Sequence, residues 1–497
     1  MSDKYMKNLT FANIAKACEG TYIGDETQLD TTITGAVIDS RQVKEGYLFI
    51  PIKGERVDGH DFAVKAVENG ACAVLAQRPI PELAARHPEV PVLMVDDTVK
   101  ALGATARAWR KSFRGRVVSL TGTAGKTTVK ELLFNVLSLV GKTHKTDENH
   151  NNQVGMPLDM LAADGSEDFW IMEAGISHKG DMDDLGSVML PDAALVVNAG
   201  IGHTEGLGEM GVAWNKSRLF LYLSKEGLGT ASADYPELVE NALRNCPDAR
   251  FFSTEKDASV KNGRGQEVCV CHAETVDAGP EGDTYRISFA ADEGRPAVQI
   301  TCRTGIRGTS GAEDCAACAL VCRRLGVSDS VIASGLARPL PQEQRSAVQK
   351  SGSFVLIDST YNANPLSMGR TLDAAAREAS RRGLPLVCVL GHMGELGRES
   401  EKSHTELGSR LAALHPSAVF WKGGREHEVL SGLRRGGYEG SFALIGGDDS
   451  CRKEFGAWLS PENKSRGAVV LFKGSRLNRL EDALAVFRSL TGEEGAL

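Results

Sequence analysis

The chain has 497 residues, 25% charged and 42% hydrophobic, which excludes wholesale disorder and points to about three domains at roughly 150 residues each. A net charge of −8 offers no global attraction for nucleic acid or an anionic membrane, though a local basic site for a phosphorylated ligand is compatible with it. Glycine is the outlier at 54 residues; with no collagen period, a surplus over the usual ~7% signals many tight loops, as in α/β enzymes.

The N-terminus, Met1 to Lys7, is polar with no apolar core behind it, and no apolar run approaches the ~18 residues of a membrane span. The 11 cysteines therefore read as reduced thiols of a cytoplasmic protein. Cys315, Cys318 and Cys322 share one helix face and Cys269 and Cys271 alternate on a strand; buried packing is the favoured reading, with a zinc site as the alternative.

In chain order, residues 1–98 alternate short apolar runs with turns: Ala36–Ile38, Tyr47–Ile50, Ala73–Leu75 and Val90–Val95. An Asp96-Asp97-Thr98 step predicts the N-cap of a helix over Val99–Trp109. Residues 99–337 open with the strand Val117–Leu120 and alternate strands with helices, interrupted by a loop-rich excursion from Asp257 to Gly294. Residues 338–497 begin where Pro339 and Pro341 break the preceding helix, which locates a hinge. They continue through Phe354–Ile357, a helix over Arg370–Arg381, Leu386–Leu390, a helix around Thr405–Leu414, Ala418–Phe420 and Val469–Phe472. The expected fold class is α/β, with parallel sheets covered on both faces.

The run Thr121-Gly122-Thr123-Ala124-Gly125-Lys126-Thr127-Thr128 follows an apolar strand and opens a helix over Val129–Val140, the context a phosphate-binding loop requires. Glycines turn backbone N–H groups toward phosphates, and the helix N-terminus adds partial positive charge. Lys126 would reach the β/γ-phosphates and Thr127 would ligate Mg²⁺. Leu120 stands where the strict pattern has glycine, so the loop is a variant. The reading is ATP binding.

Glu173 closes the strand Phe169–Glu173, and a loop from Asn198 leads to His203. In parallel sheets ligands gather beyond such strand ends, so this carboxylate and imidazole are candidates for a second Mg²⁺. For His203 a backbone-bonded histidine is the favoured alternative. Asn149, Asn151 and Asn152 form a polar cluster that orients a substrate or is a plain surface turn. Asp358, Tyr361, Asn362 and Asn364 follow the strand ending at Ile357, again where ligands bind.

Together these motifs resemble the ATP-dependent Mur ligases of peptidoglycan synthesis, over nearly the full length. Within that family they are most similar to the branch that joins D-alanyl-D-alanine to UDP-N-acetylmuramoyl-tripeptide. The matching runs are Asp39-Ser40-Arg41 and Lys53 to Phe62, the phosphate loop, Asn149 to Pro157, Glu173-Ala174-Gly175, Asn198 to His203, Tyr361 to Pro365, Gly391 to Gly397 with His404, and Lys473 to Arg476. The resemblance implies a small α/β UDP-sugar-binding domain, a central P-loop ATPase domain and a C-terminal Rossmann-like domain. It assigns Ser40, Arg41 and Lys53 to the UDP-sugar, Arg345, Asp358 and Tyr361 to the nucleotide, and Thr127 and Glu173 to Mg²⁺, with His203 on a second ion. Lys216, by its residues alone an ordinary surface lysine, falls where these ligases carry a carbamylated lysine. The catalytic set would be Lys126, Glu173, His203 and Lys216, acting through an acyl phosphate in a cytoplasmic monomer.

Three positions depart from the family pattern. Gly308 to Cys315 lacks both asparagines of the usual Gly-x-His-Asn-x-x-Asn-Ala run, leaving Asp314 to accept from the adenine amine; His392 replaces an aspartate; Ser359 replaces one member of an Asp-Asp pair. Two alternatives stay open: a sibling ligase adding diaminopimelate or lysine, and a non-catalytic P-loop ATP switch.

Overall fold

The structure, a computed structural model, describes residues 9–202, 204–279, 282–292, 294–341 and 347–492. Three sheets organise it. The first comprises β1 (Thr21–Ile23), β2 (Gly35–Val37), β3 (Tyr47–Phe49), β4 (Ala71–Ala76) and β5 (Val92–Met94) in the order β1-β5-β4-β3-β2. Only β1 runs antiparallel to its neighbour.

The helix Thr98–Ser112 starts where the acidic step predicts, with Asp97 Oδ1 accepting from Val99 N at 2.8 Å and Lys100 N at 3.1 Å. It runs one turn beyond the expected Trp109. Leu102, Ala106 and Trp109, spaced at i, i+4 and i+7, are buried. Trp170 stacks on Phe113 at 3.8 Å between ring centroids and lies 6.3 Å from Trp109. The first sheet and the near face of the second thereby share one apolar core.

The second sheet is built from β6 (Arg116–Thr121), β7 (Thr143–Lys145), β8 (Phe169–Glu173), β9 (Ala193–Val196), β10 (Leu228–Ser232) and β11 (Arg250–Ser253), all parallel. After a two-stranded ribbon, β12 (Val260–Lys261) with β13 (Glu267–Val268), it is extended by β14 (Val270–Gly279), β15 (Gly282–Phe289) and β16 (Val298–Thr304). The expected loop-rich excursion is thus largely strand. In β15, buried Tyr285, Ile287 and Phe289 alternate with half-buried Thr284, exposed Arg286 and half-buried Ser288. The Gly, Asp and Glu content that reads as loop belongs to turns and to the wet face of an antiparallel sheet. Parallel pairing throughout, the other expectation, fails at β1, at β15 and β16, and at the first strand of the third sheet.

Cys271, Cys302, Cys315, Cys318 and Cys322 are buried in one apolar cluster on the far face of this sheet. Among the described residues no three His, Cys, Asp or Glu side chains form a metal-binding group.

The third sheet holds β17 (Ala347–Ser351), β18 (Phe354–Ser359), β19 (Leu386–Gly391), β20 (Ala418–Lys422), β21 (Ser441–Ile445) and β22 (Val469–Lys473), in the order β17-β18-β22-β19-β20-β21. All but β17 are parallel, and apolar clusters cover both faces. The link from the second sheet leaves the helix Asp329–Leu336 through Pro339 and Pro341, with Asn135 Nδ2 donating to the Arg338 and Pro339 carbonyls at 3.3 Å.

Trp170 joins two layers of core, so Trp170→Ala should destabilise the protein by about 3–5 kcal/mol. Urea unfolding followed by circular dichroism measures this; a loss below about 1 kcal/mol would show that the site collapses without a cavity.

Candidate active site

Strand β6 lies between β8 and β9, with Leu120 in register with Glu173 and Thr121 with Val196. That register delivers the turn after β6, the acid ending β8 and the asparagine after β9 to one point at the carboxyl edge of the sheet. The turn is the predicted phosphate loop, and its helix spans Lys126–Leu137. Gly125 sits at φ +80°, and a Cβ there would stand 2.5 Å from Asp314 Oδ1, so this position is closed to other residues on two counts. Asn198 Oδ1 accepts from Thr123 N and Ala124 N, both at 2.9 Å, while Asn198 Nδ2 donates to Ala124 O at 3.0 Å. Thr123 Oγ1 also donates to Gly200 O at 2.8 Å.

Two lysines converge on one oxygen. Lys126 Nζ and Lys216 Nζ both donate to the Gly122 carbonyl, at 2.9 and 3.1 Å. Lys216, on the helix Gly211–Ser217, is 2% exposed, which corrects its reading as a surface residue. Burial drives its amine well below the ordinary lysine range, Lys126 pushes the same way, and Glu173 opposes them.

Glu173, 1% exposed, accepts from Thr127 Oγ1 at 3.3 Å and Asn151 Nδ2 at 2.9 Å. It also stands 3.7 Å from Lys130 Nζ. Lys130, one helical turn after Lys126, is fully buried and donates to Glu148 O at 2.9 Å. Burial lowers its pKa, with Glu173 the leading opposing influence. Sequence reasoning passed over Lys130 although a lysine amid Val129, Leu132 and Leu133 carries a signal: it lies on a helix face that has to be buried.

A hydroxyl and one carboxylate at 3.3 Å fit Mg²⁺, a hard cation that takes few protein oxygens and completes its octahedron with phosphate oxygens and water. Thr127 and Glu173 are the residues that would hold it.

The third sheet presents its own carboxyl edge to this loop. Lys473, at the end of β22 in register with Ser359 and Leu390, donates to Ser359 Oγ at 3.1 Å and Asn362 O at 3.0 Å. Asn364 caps the helix Pro365–Arg382 through Oδ1, accepting from Ser367 N at 2.8 Å, and its Nδ2 reaches Thr123 O in the phosphate loop at 3.2 Å. Asn149 Nδ2 donates to Tyr361 OH at 2.8 Å.

In the first sheet, Ser40 and Arg41 line a groove of about 540 Å³ with Ile38, Ile52 and Phe62. Asp58 sits between the lining residues Val57 and Gly59; its carboxylate accepts from His60 N at 3.0 Å and contacts the His60 ring at 2.6 Å, and it is held at about 2, chiefly by the backbone bond. Lys53 is exposed in the adjoining loop and is not one of the lining residues.

The structure therefore brings Gly122, Thr123, Ala124, Gly125, Lys126, Thr127 and Thr128 together with Glu173, Lys216, Asn151 and Asn364. Tyr361 and Asn149 meet alongside. Asn152, an exposed residue, accepts through Oδ1 from Val154 N at 3.0 Å and Gly155 N at 2.9 Å at the start of the helix Gly155–Ala162. Asn362 Oδ1 accepts from Ala363 N, and Asp358 Oδ1 from Thr360. His203 and Arg345 lie outside the described residues.

Comparison with known proteins agrees with this arrangement. Residues 120–294 match the model for the Mur ligase middle domain, 32–110 the Mur ligase family catalytic domain, and 344–476 the Mur ligase glutamate ligase domain. The UDP-N-acetylmuramoyl-tripeptide–D-alanyl-D-alanine ligase of Bacillus subtilis is 30% identical, over 95% of this chain and 97% of that protein. A crystal structure of MurF from Acinetobacter baumannii is 26% identical and superposes with a TM-score of 0.82, over 98% of this chain and all of that one. The MurF ligase from Thermotoga maritima in complex with ADP is 28% identical with a TM-score of 0.72, over 92% and 97% of the two chains. Matched to these three domain models and, at 30% identity, over nearly its whole length to such a relative, the chain belongs to the Mur ligase family.

Proposed function

We propose that the chain joins D-alanyl-D-alanine to UDP-N-acetylmuramoyl-tripeptide, with ATP converted to ADP and phosphate. The observation carrying this reading is the meeting of the phosphate loop, Glu173 and Lys216 with Asn364 of the third unit, 3.2 Å from Thr123 O. The relatives named for this reaction support the choice of substrates.

A carboxylate oxygen of the tripeptide attacks the γ-phosphorus of ATP; the bond to the bridging oxygen breaks and ADP leaves. The amine of D-alanyl-D-alanine then attacks the acyl carbon, and phosphate departs from the tetrahedral intermediate as the nitrogen loses its proton. Lys126 and the loop N–H groups face the charge that builds on the transferring phosphoryl group. Bound Mg²⁺, held by Thr127 and Glu173, would neutralise phosphate charge. Asn151 orients Glu173 through its 2.9 Å hydrogen bond. Burial lowers the Lys216 pKa and so favours the unprotonated amine; that form adds to CO₂ with loss of a proton, giving a carbamate whose oxygens would serve as carboxylate-like Mg²⁺ ligands.

In this reading residues 1–98 bind the UDP-sugar in the groove beside Ser40 and Arg41, residues 99–337 carry ATP and metal, and residues 338–497 close over them with the dipeptide. It is a cytoplasmic, monomeric enzyme. No helix among the described residues is long and apolar enough to cross a membrane.

Phosphate release in the presence of UDP-N-acetylmuramoyl-tripeptide should require D-alanyl-D-alanine. Release only with UDP-N-acetylmuramoyl-dipeptide plus diaminopimelate or lysine would transfer the chain to the sibling reaction. Slow hydrolysis indifferent to every amine would make it a switch.

Lys216→Met should reduce turnover by about 10²-fold or more, and added bicarbonate should not restore it. The same substitution removes a buried amine from an apolar setting, so thermal unfolding without bicarbonate should move upward, by on the order of 1 kcal/mol. The sign with pH follows from the lowered native pKa. Between that value and the ordinary one near 10.5 the unfolded chain binds the extra proton, so wild-type stability rises with pH across this window. Lys216→Met should flatten that rise; an unchanged slope would remove Lys216 as its source.

A further inference from the structure

The helix Pro365–Arg382 docks the third unit on the second at more than its cap. Arg370, nearly two turns past the phosphate-loop contact of Asn364, places Nη2 2.5 Å from Glu313 Oε2 and 3.4 Å from Tyr235 OH. Glu313 lies on the helix Gly308–Arg324 with its side chain 3% exposed; that of Arg370 is 22% exposed. The same Oε2 accepts from Asn198 Nδ2 at 3.0 Å, and Asn198 Oδ1 accepts from Thr123 N and Ala124 N at 2.9 Å. An unbroken polar path thus runs from the third unit to two backbone N–H groups of the phosphate loop.

Two acceptors set its polarity: Ala124 O and Glu313 Oε2 each accept from Asn198 Nδ2 at 3.0 Å, which keeps Oδ1 toward the loop N–H groups. An ionised carboxylate only accepts hydrogen bonds, so a charged Glu313 adds to the hold that the loop has on the amide. A protonated Glu313 weakens that second anchor and leaves the amide held by its loop bonds alone. Whether Glu313 keeps its charge depends on its surroundings. Burial raises its pKa, and Arg370 leads the influences lowering it, together with Asn198; Asp234 raises it. The neighbouring carboxyl, Asp314, is pushed well above its ordinary range by burial and by Glu313, and Tyr235 is raised by burial and by Glu313. Among these neighbours Arg370 is the cation, and it belongs to the other unit.

We propose that Arg370 is a positioning residue: by pairing with Glu313 when the third unit closes, it locks Asn198 and so sets the phosphate loop for nucleotide. Glu313 and Arg370 have no part in the reaction just described and touch no reacting atom in it. The proposal rests on the ligase reading only as far as ATP binding at this loop, and it is indifferent to which amine is joined.

The test uses the full chain and its variants Arg370→Met, Arg370→Lys, Glu313→Gln and Arg370→Met with Glu313→Gln. Two measurements are made: Mg·ADP affinity by calorimetry, and KM for ATP against kcat in amine-dependent phosphate release. Arg370→Met should weaken ADP about tenfold and raise KM for ATP in step, with the KM for the UDP-linked peptide unchanged. Arg370→Lys, which keeps the charge, should fall between Met and wild type. The double variant should bind ADP more tightly than Arg370→Met alone, because the carboxyl left without its cation is gone; this non-additivity is what a mere surface ion pair does not produce. ADP affinity within twofold of wild type for Arg370→Met, or additive effects of the two substitutions, would overturn the proposal. If the wild type shows no amine-dependent release, the ligase reading fails, while the ADP titrations still decide for or against the lock.

Discussion

Positive charge held out of water around a single carbonyl oxygen is the constraint on which the rest of the site depends. Lys126 and Lys216 both point at Gly122 O, and fully buried Lys130 stands one helical turn further on. Glu173 is the carboxylate placed against them, 3.7 Å from Lys130. Asp314, beside Gly125, has its carboxyl pushed well above the ordinary range by burial and by Glu313. Lys130 and Lys216 are buried amines whose pKa values burial lowers, because a charged amine in a low-dielectric interior costs several kcal/mol unless it is compensated. A triphosphate entering such a place meets donors already desolvated, where each Coulombic contact is worth more than in water. The destabilisation stored in the lysine cluster is thus returned when the nucleotide arrives, which is why the cluster persists at the loop and not elsewhere in the fold.

Holding that cluster together is the work of strand order. With β6 flanked by β8 and β9, three carboxyl ends only a strand spacing apart carry the phosphate loop, Glu173 and Asn198. Lys216 reaches the same point from a separate helix, and its amine is buried because the loop and Glu173 close over it. The third sheet repeats the arrangement: β18, β22 and β19 bring Ser359, Lys473 and Gly391 to one edge. Two parallel-sheet edges facing each other leave a crevice between two switch points, where α/β sheets bind their ligands.

What was legible in the sequence divides along the same physical line. The phosphate loop, Glu173 and the Asp97 cap were readable because each depends on neighbours within a few residues. Lys216 carried a local signal that was passed over, since Val212, Ala213, Leu219 and Phe220 at i−4, i−3, i+3 and i+4 are apolar and buried; its partner Gly122, 94 residues away, had none. Lys130 had a local signal, a charge on an apolar helix face, that the reading passed over. Glu313 and Arg370, 57 residues apart, owe their pairing to the docking of two units, which no local period encodes. The strands β14 and β15 were hidden for another reason. Along β15 every second residue turns away from the core, so composition averaged over the segment looks like loop even though Tyr285, Ile287 and Phe289 alternate as a strand requires. Asn152 Oδ1 accepts from two backbone N–H groups where a helix begins, the local turn chemistry that the composition of its cluster allows.

Asn364 joins these strands of argument in one side chain. Its Oδ1 satisfies an orphan N–H at the start of the helix Pro365–Arg382, and Ser367 returns a bond to the Asn364 backbone, completing a capping box. With Oδ1 committed to the cap, Nδ2 is left pointing outward, and it is this group that meets Thr123 O. The cap therefore selects which end of the amide faces the phosphate loop, as Ala124 O and Glu313 do for Asn198 on the opposite side. Pro365 at the first helical position fixes where the helix begins, and so fixes how far the amide extends toward the loop. An aspartate would cap equally well but would present a second acceptor to the Thr123 carbonyl, a repulsive contact in place of a hydrogen bond. A serine would cap and fall short. Helix capping and the docking of one unit on another are satisfied together by asparagine, so the choice of residue follows from two local requirements, each with its own geometry, meeting at one position.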